Sequence, residues 1–259
     1  MKDLTAIILA AGKGTRMKAD LPKVAFPCAG TPMVRWVADA CRDAGCSRII
    51  VVVGYQQDVV RTIFEHDSSI EFAVQAEQLG TGHAVLSAAP LFAGRMHGDA
   101  LVLAGDGPLI RAETLRRLAD LRRSASAAAV LGTTTLDDPT GYGRIVRDSR
   151  GRFERIVEQK NAAPAHLKIT EVYPSLCCFD TALLFSALRA LPRDVVSGEY
   201  YITQVPEMLA STGEAIELMP GIPPEEAMGV NTPEQLAHVE QVLLKQRGGR
   251  PHAGAGARA

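Results

Sequence analysis

The stretch Thr5-Ala6-Ile7-Ile8-Leu9-Ala10-Ala11-Gly12-Lys13-Gly14-Thr15-Arg16-Met17 decides how this chain reads. Thr5 to Ala10 is an aliphatic run suited to a buried strand, and a glycine turn follows at once. Glycines there let the main chain approach a ligand closely, and successive N–H groups can cradle phosphate oxygens. Two common phosphate loops do not fit. A dinucleotide fingerprint needs a small residue three after Gly14, where Met17 stands; a Walker loop ends in Gly-Lys-Ser/Thr, whereas Gly14 is followed by Thr15-Arg16. An NAD-linked oxidoreductase is disfavoured on the same ground. What remains is an anion loop with Arg16 inside it and Lys23 seven residues on, two cations able to reach one polyphosphate. The plainer alternative is a strand-to-helix turn with Lys13 and Arg16 in solvent.

Outward from this loop, short β-branched and aliphatic runs alternate with helical patterns, the signature of βαβ units and a parallel sheet of the α/β class. After the first strand come a helix capped and opened by Thr31 and Pro32 and closed by Gly45, with Val34, Val37 and Cys41 on one stripe, and a strand at 48–53. A helix at 58–65, a strand at 70–75, a helix at about 82–89 and a strand at 100–104 continue the alternation, which Gly105-Asp106-Gly107-Pro108 interrupts. A helix at 112–123 and a strand at 127–135 close a nucleotide-binding half. The second half is less regular: Gly141-Tyr142-Gly143 reads as a turn, 153–159 and 171–179 as strands, 181–190 and 232–246 as helices. Residues 248–259, rich in Gly, Ala and Arg, read as a disordered tail. No hexapeptide repeat is present.

With 259 residues, 47% apolar and 22% charged, the chain can bury a large core in one domain without staples. The 28 Lys and Arg nearly balance 29 Asp and Glu, and Arg247, Arg250 and Arg258 lie in an acid-free terminus, so the body is net negative. That argues against a nucleic-acid partner, which needs a basic face. No apolar run approaches the ~20 residues of a membrane helix. The 5 cysteines form no CxxC pair, the odd count is unlike a disulfide framework, and a reducing cytoplasm is expected. Cys177 and Cys178 point to opposite faces of a strand and read as packing, as do Met17 and Met33. No oligomer is assigned.

Asp106 follows an apolar strand, at the carboxyl edge where open α/β sheets bind ligands. A lone carboxylate there suits Mg²⁺, which takes one or two protein oxygens and leaves its other positions to phosphate and water; an Asx-type turn is the alternative. Asn231, in Gly229-Val230-Asn231-Thr232-Pro233, is by itself a turn residue beside an N-cap Thr232. Spacing does not pair it with Asp106.

The Leu-Ala-Ala-Gly-x-Gly-x-Arg-Met loop with Pro22-Lys23 resembles the signature of sugar-1-phosphate nucleotidyltransferases. Gln75 to Ala84, Gly105-Asp106-x-Pro108-Leu109-Ile110, Gly141 to Arg147, Ile156 to Lys160, Gly198 to Thr203 and Gly229-Val230-Asn231 narrow the likeness to N-acetylglucosamine-1-phosphate uridylyltransferase domains of bacterial bifunctional enzymes, over about residues 4–246. The resemblance implies a Rossmann-like, mostly parallel sheet flanked by helices, with residues 1–247 as one nucleotidyltransferase domain. Residues 1–136 would bind nucleotide and 137–247 the sugar. It implies that Leu9, Ala10, Ala11, Gly12 and Gly14 surround the nucleotide, with Arg16 on its phosphates and Lys23 near the α-phosphate and the sugar phosphate. Gln75, Gly80 and Thr81 would read the uracil side, Asp106 and Asn231 would hold Mg²⁺, and Gly143, Glu158 and Tyr201 would contact the sugar with Thr203 nearby.

The expected reaction joins UTP and a sugar-1-phosphate, with attack on the α-phosphorus and pyrophosphate leaving; no general base is needed, so His83 is expected to be structural or phosphate-adjacent. Departures from the family fall on the sugar side. Its usual Asn-Thr-Gly is Tyr173-Pro174-Ser175 here, Asn161 follows Lys160 where Asp is usual, and the strand before the acid reads Leu103-Ala104-Gly105-Asp106 where a Tyr is common. These keep a different sugar-1-phosphate, dTTP, or a catalytically weak nucleotide-sugar sensor as alternatives. Nothing in the sequence resembles that family's acetyltransferase domain, and acetyl transfer is not expected.

Overall fold

A computed structural model describes residues 3–17, 19–246 and 248. The expected tail, apart from Gly248, lies outside the described residues. From the amino end the chain runs β1 (Leu4–Ala10), a ribbon of β2 (Pro27–Cys28) and β3 (Thr31–Pro32), α1 (Met33–Asp43), β4 (Arg48–Val53), α2 (Gln57–Thr62), β5 (Ile70–Val74), α3 (Thr81–Leu86), β6 (Asp99–Ala104) and α4 (Ala112–Ser124). It continues through β7 (Ala129–Gly132), β8 (Thr134–Thr135), β9 (Gly143–Arg147), β10 (Phe153–Val157), α5 (Pro164–Leu167), β11 (Glu171–Tyr173), β12 (Leu176–Asp180), α6 (Thr181–Arg189), α7 (Val205–Ser211), β13 (Ile216–Met219) and α8 (Pro233–Gln246).

Seven strands form the main sheet in the order β13-β7-β12-β6-β1-β4-β5. β12 runs antiparallel to both neighbours and every other neighbouring pair is parallel. Alternation along β1 feeds two cores. Ala6, Ile8 and Ala10 pack with Val34, Val37 and Cys41 of α1 and Leu115 and Leu118 of α4. Ile7 faces the other way, toward Val85 of α3, Leu184 and Leu188 of α6, and Val205 and Leu209 of α7. Each fully buried aliphatic side chain of this kind contributes ~1.5–3 kcal/mol, so covering both faces of the sheet is what makes the expected α/β layering stable. Asp99, at the start of β6, is buried and ion-paired with Arg122 and Arg123, which ties α4 to the sheet edge. No helix among the described residues is long and apolar enough to cross a membrane.

A second sheet of four antiparallel strands, β10-β9-β11-β8, rises from the main one. The two expected strands at 127–135 and 171–179 are each two strands, one in either sheet. The chain leaves the main sheet at Thr133, between β7 and β8, and returns through Pro174-Ser175, between β11 and β12. Pro174 lacks the N–H a ladder needs and Ser175 takes φ +58°, so neither can continue a central strand. Burial alone hides this, because both sheets bury the same kind of face, although Pro174 is the residue in the sequence that marks the break. Three further differences are local. Gly143 opens β9 rather than ending a turn, α7 and β13 fill the stretch after Thr203, and Thr31-Pro32 pairs with Pro27-Cys28 as a ribbon, with Pro32 as the N-cap residue of α1 but no side-chain cap bond.

A third cluster joins Met17, Cys28, Met33, Trp36 and Leu109 to Val230, Val239 and Leu243. It seats the glycine loop against α8. Both methionines are core, as the sequence suggests. So are Cys177 and Cys178, which fall in the two different clusters on opposite faces of β12. Burial pushes the Cys177 and Cys28 thiols up to about 12, the hydrogen bond with Cys46 and burial hold Cys41 well above its ordinary value, and burial does the same for Cys178. All 5 cysteines are free and Cys46 is partly exposed. Since the thiolate is the reactive form, DTNB at pH 8 should titrate one thiol in the native protein and all of them in guanidinium chloride; rapid reaction of more than one native thiol would contradict this core.

Candidate active site

The carboxyl ends of adjacent strands deliver the site, because parallel neighbours must end on the same edge. Gly105 still pairs with β1, its N–H donating to Leu9 O at 2.9 Å, so Asp106 emerges beside Ala10 and Ala11. The Tyr55 N–H donates to Ala11 O at 3.1 Å and the Gln75 N–H to Val53 O at 2.8 Å, which brings the ends of β4 and β5 to the same rim. Leu9 and Ala10 are thereby the last residues of β1, and Ala11 is buried where the loop begins.

The loop itself is shaped by its glycines in two different ways. Gly14 has φ +67° and a Cβ there would collide with Lys23 Cβ, so the lysine stem lies directly on the glycine. Gly12 faces open space, with nothing within 4 Å of a would-be Cβ, and leaves its main chain uncovered on that side. Lys13 turns outward over the Tyr55 ring, 5.1 Å from its centroid. Met17 turns inward to the α8 cluster, which fixes Arg16 next to the segment before that helix.

There the far parts of the chain meet. Lys23 Nζ donates to Asp106 Oδ2 and, at 2.8 Å, to Asn231 Oδ1; Arg16 donates to the same Asn231 Oδ1 at 2.8 Å. The Val230 N–H donates to Asp106 O at 3.0 Å, so the two loops are stitched by main chain as well. Asn231 is also what local reading says it is. Thr232 caps α8, accepting from the Gln235 N–H at 3.3 Å, while Gln235 Oε1 accepts from the N–H groups of Asn231 at 2.8 Å and Thr232 at 3.2 Å. The cap orients the backbone and frees the amide side chain to face Lys23.

A second set lies beyond β5. The Gln75 amide donates to Gly80 O at 3.0 Å and to His83 Nδ1 at 3.1 Å, so His83 supports Gln75. Gly80 has φ +105°, and a Cβ there would stand 2.6 Å from Tyr200 O. Main-chain bonds from Tyr200 N to Leu79 O, 2.8 Å, and from Gly82 N to Tyr200 O, 2.7 Å, lock this turn to 198–203. Thr81 Oγ1 accepts from the Ile202 N–H at 3.0 Å, a joint between segments. Tyr201 leads into the turn Ile202–Gln204, and Thr203 Oγ1 donates to Glu158 Oε1 at 2.7 Å. Glu158 Oε2 lies 3.9 Å from a would-be Cβ at Gly143. Gly143, Glu158 and Thr203 thus form one group, which among the described residues shares no hydrogen bond with Arg16, Lys23, Asp106 or Asn231.

The divergent segment belongs to the Glu158 group. Tyr173 pairs across strands with Gly143 and donates its hydroxyl to Cys177 Sγ at 3.0 Å. Burial holds its phenol well above the ordinary range, with the Cys177 sulfur and the Glu158 charge adding to the effect. Asn161 donates its amide to Asp194 Oδ2 at 2.9 Å, an anchor for the loop before Gly198.

Two residues of the 141–147 motif, Tyr142 and Arg144, have supporting roles that the sequence does not assign. Arg144 is buried, donating to Tyr142 O and, at 2.9 Å, to Gln159 Oε1, which in turn accepts from the Gly141 N–H at 3.2 Å. Tyr142 reaches across to donate to Ala227 O at 3.2 Å. Burial raises the Tyr142 phenol, a backbone hydrogen bond to Gly229 opposing and the Asp106 charge adding, so this loop borders the Asp106 turn. An arginine in an alternating strand was the available signal, but such residues are usually solvated. For the glycines, Gly80→Ala should lose about 1–3 kcal/mol of stability in urea titrations from its backbone strain and the Tyr200 contact, whereas Gly12→Ala should stay within ~0.5 kcal/mol; equal losses would refute the distinction.

Residues 6–202 match the model of the MobA-like NTP transferase domain. The chain is 49% identical over 237 residues to the bifunctional protein GlmU of Geobacter metallireducens, covering 92% of this chain and 50% of that protein. Identity to GlmU of Pelobacter propionicus is 44% over 246 residues, with 95% and 53% covered, and to GlmU of Enterococcus faecalis 42% over 246 residues, with the same shares. The chain spans about half the length of these curated relatives. With a glycine loop after the first strand, an acid at the strand ends beside it and a domain model matched over most of the described residues, the chain belongs to the MobA-like NTP transferase domain family.

Proposed function

We propose that this protein is a UTP:sugar-1-phosphate uridylyltransferase, with N-acetylglucosamine-1-phosphate as its sugar substrate and Mg²⁺ as its cation. The observation that carries the reading is the meeting of Arg16, Lys23, Asp106 and Asn231 at the mouth of the glycine loop. Likeness to the GlmU proteins over nearly all of this chain supports it. Asp106 and Asn231 offer one carboxylate and one amide oxygen side by side, a hard donor pair that fits Mg²⁺ while phosphates and water complete its shell. When bound, the cation neutralises and orients phosphate oxygens.

The residues of the chain supply the rest. Backbone amides at 11–14 receive the triphosphate, and Arg16 and Lys23 offset charge that gathers on the α-phosphorus and the leaving pyrophosphate. The attacking sugar phosphate is already anionic at neutral pH, so catalysis is positioning plus charge neutralisation and needs no base. Gln75, Gly80 and Thr81 border the base, while Gly143, Glu158, Tyr201 and Thr203 border the sugar. In this reading the nucleotide is held by residues 1–136 and the sugar by residues 137–247. A different sugar-1-phosphate is the second reading, favoured by the buried Tyr173 beside Glu158.

Asp106→Ala and Lys23→Ala should each lower kcat/KM at least ~10²-fold, the usual cost of losing one transition-state partner; near-normal turnover would remove that residue from the mechanism. Pyrophosphate release should stop on addition of EDTA and return with Mg²⁺. A panel of sugar-1-phosphates against UTP, dTTP and CTP tests base and sugar together: release with UTP and N-acetylglucosamine-1-phosphate is expected, and none with any pair would overturn the assignment.

A further inference from the structure

The two oxygens that suit a divalent cation are already engaged by the chain's own cations. Lys23 Nζ donates to both Asp106 Oδ2 and Asn231 Oδ1, and Arg16 donates to that same Asn231 oxygen. An amide oxygen has two lone pairs, and both are taken here by positively charged donors. The local charge is unfavourable too. Lys23, Arg16 and Asp106 together carry a net positive charge, and the described residues contain no group of 3 or more His, Cys, Asp or Glu that could hold a metal ion without further ligands. The Lys23 and Asp106 side chains are 18% and 14% exposed, so solvent screens the pair only in part.

We propose that Lys23 is the resident counter-ion of the Asp106–Asn231 pair, and that this pair becomes a divalent-cation site only when a nucleoside triphosphate draws Lys23 and Arg16 onto its phosphates. This rests on the reading of the glycine loop as a triphosphate site. The geometry is suited to such an exchange. The Lys23 stem is seated on Gly14, inside the loop that would hold the phosphates, so a swing of its flexible end moves the ammonium between carboxylate and phosphate without moving the backbone. Phosphate oxygens offer both cations charge-assisted hydrogen bonds of the kind they leave. The triphosphate also reverses the sign of the local charge just as the oxygens are freed. Metal and nucleotide affinities must then be coupled, each raising the other by the same factor.

The test is Mn²⁺ binding to the full chain without nucleotide, read from the electron paramagnetic resonance signal of free Mn²⁺. Lys23→Met should bind Mn²⁺ at least ten-fold more tightly than the native protein, Lys23→Gln likewise, and Lys23→Arg no more tightly than native. Adding Asp106→Asn to Lys23→Met should abolish the gain. Equal Mn²⁺ affinity in the native protein and both neutral variants would overturn the proposal, as would a gain that survives Asp106→Asn. A parallel titration with UTP alone separates the two readings. If UTP binds and the Lys23 variants leave Mn²⁺ affinity unchanged, the counter-ion role falls and the nucleotide site stands. If the variants tighten Mn²⁺ and UTP does not bind, the counter-ion role stands without its trigger, and the nucleotide reading fails.

Discussion

A single ammonium group joins parts of the chain that are 83 and 208 residues apart, and the rest of the site is arranged around it. The Lys23 stem lies on Gly14, its nitrogen on Asp106 and Asn231, and Arg16 closes the group from the loop side. A partly buried charge pair of this kind is costly to break from one side, since the remaining partner is left desolvated without its counter-charge. It therefore constrains three loops at once: the turn after β1, the turn after β6 and the entry to α8. Each loop is independently held, by Met17 in the α8 cluster, by Gly105 on β1 and by the Thr232–Gln235 cap.

The second constraint is the double passage between sheets. By leaving the main sheet at Thr133 and returning through Pro174-Ser175, the chain places β9, β10 and β11 over the carboxyl edge of the main sheet instead of extending it. Glu158 follows β10 and Gly143 opens β9, so the Glu158 group is carried by the second, antiparallel sheet. The segment that carries Thr203 is tied to the turn that carries Gln75 and Gly80, by main chain at Tyr200, which bonds to Leu79 and Gly82, and by the Ile202 N–H on Thr81. Any shift of the 198–203 segment therefore moves Thr203, and with it Glu158, relative to the turn that carries Gln75 and Gly80.

The departures at 173–175 gain a physical description from this arrangement. Tyr173 is a buried wall of the Glu158 group, tied to Cys177, and Pro174-Ser175 is the corner at which the chain changes sheets. Ser175 holds φ +58° without being glycine, a strained corner for a side-chain-bearing residue. The same segment thus shapes both the fold and the floor of the proposed sugar side. Asn161 similarly trades a charge for an amide that ties down Asp194.

Much of this molecule was legible along the chain. The aliphatic runs at β1, β4 and β6 and the glycine turn after β1 specify a parallel sheet with an anion loop, because burial on two faces demands unbroken apolar strands and close approach demands glycine. The packing roles of Cys177 and Cys178 follow from strand alternation alone, and those of Met17 and Met33 from their apolar character. What periodicity could not carry was partnership. Residues 127–135 and 171–179 look like single strands because side-chain alternation records which face is buried and never which sheet buries it. Arg144 and Tyr142 lie in the motif at 141–147 but carry no legible role of their own there, since their partners, Gln159 and Ala227, come from other turns. The bonds of Lys23 to Asp106 and Asn231 belong to the same class: a charge in sequence shows what it can bind, and only the packing of α8 against the glycine loop decides which oxygens come within its reach.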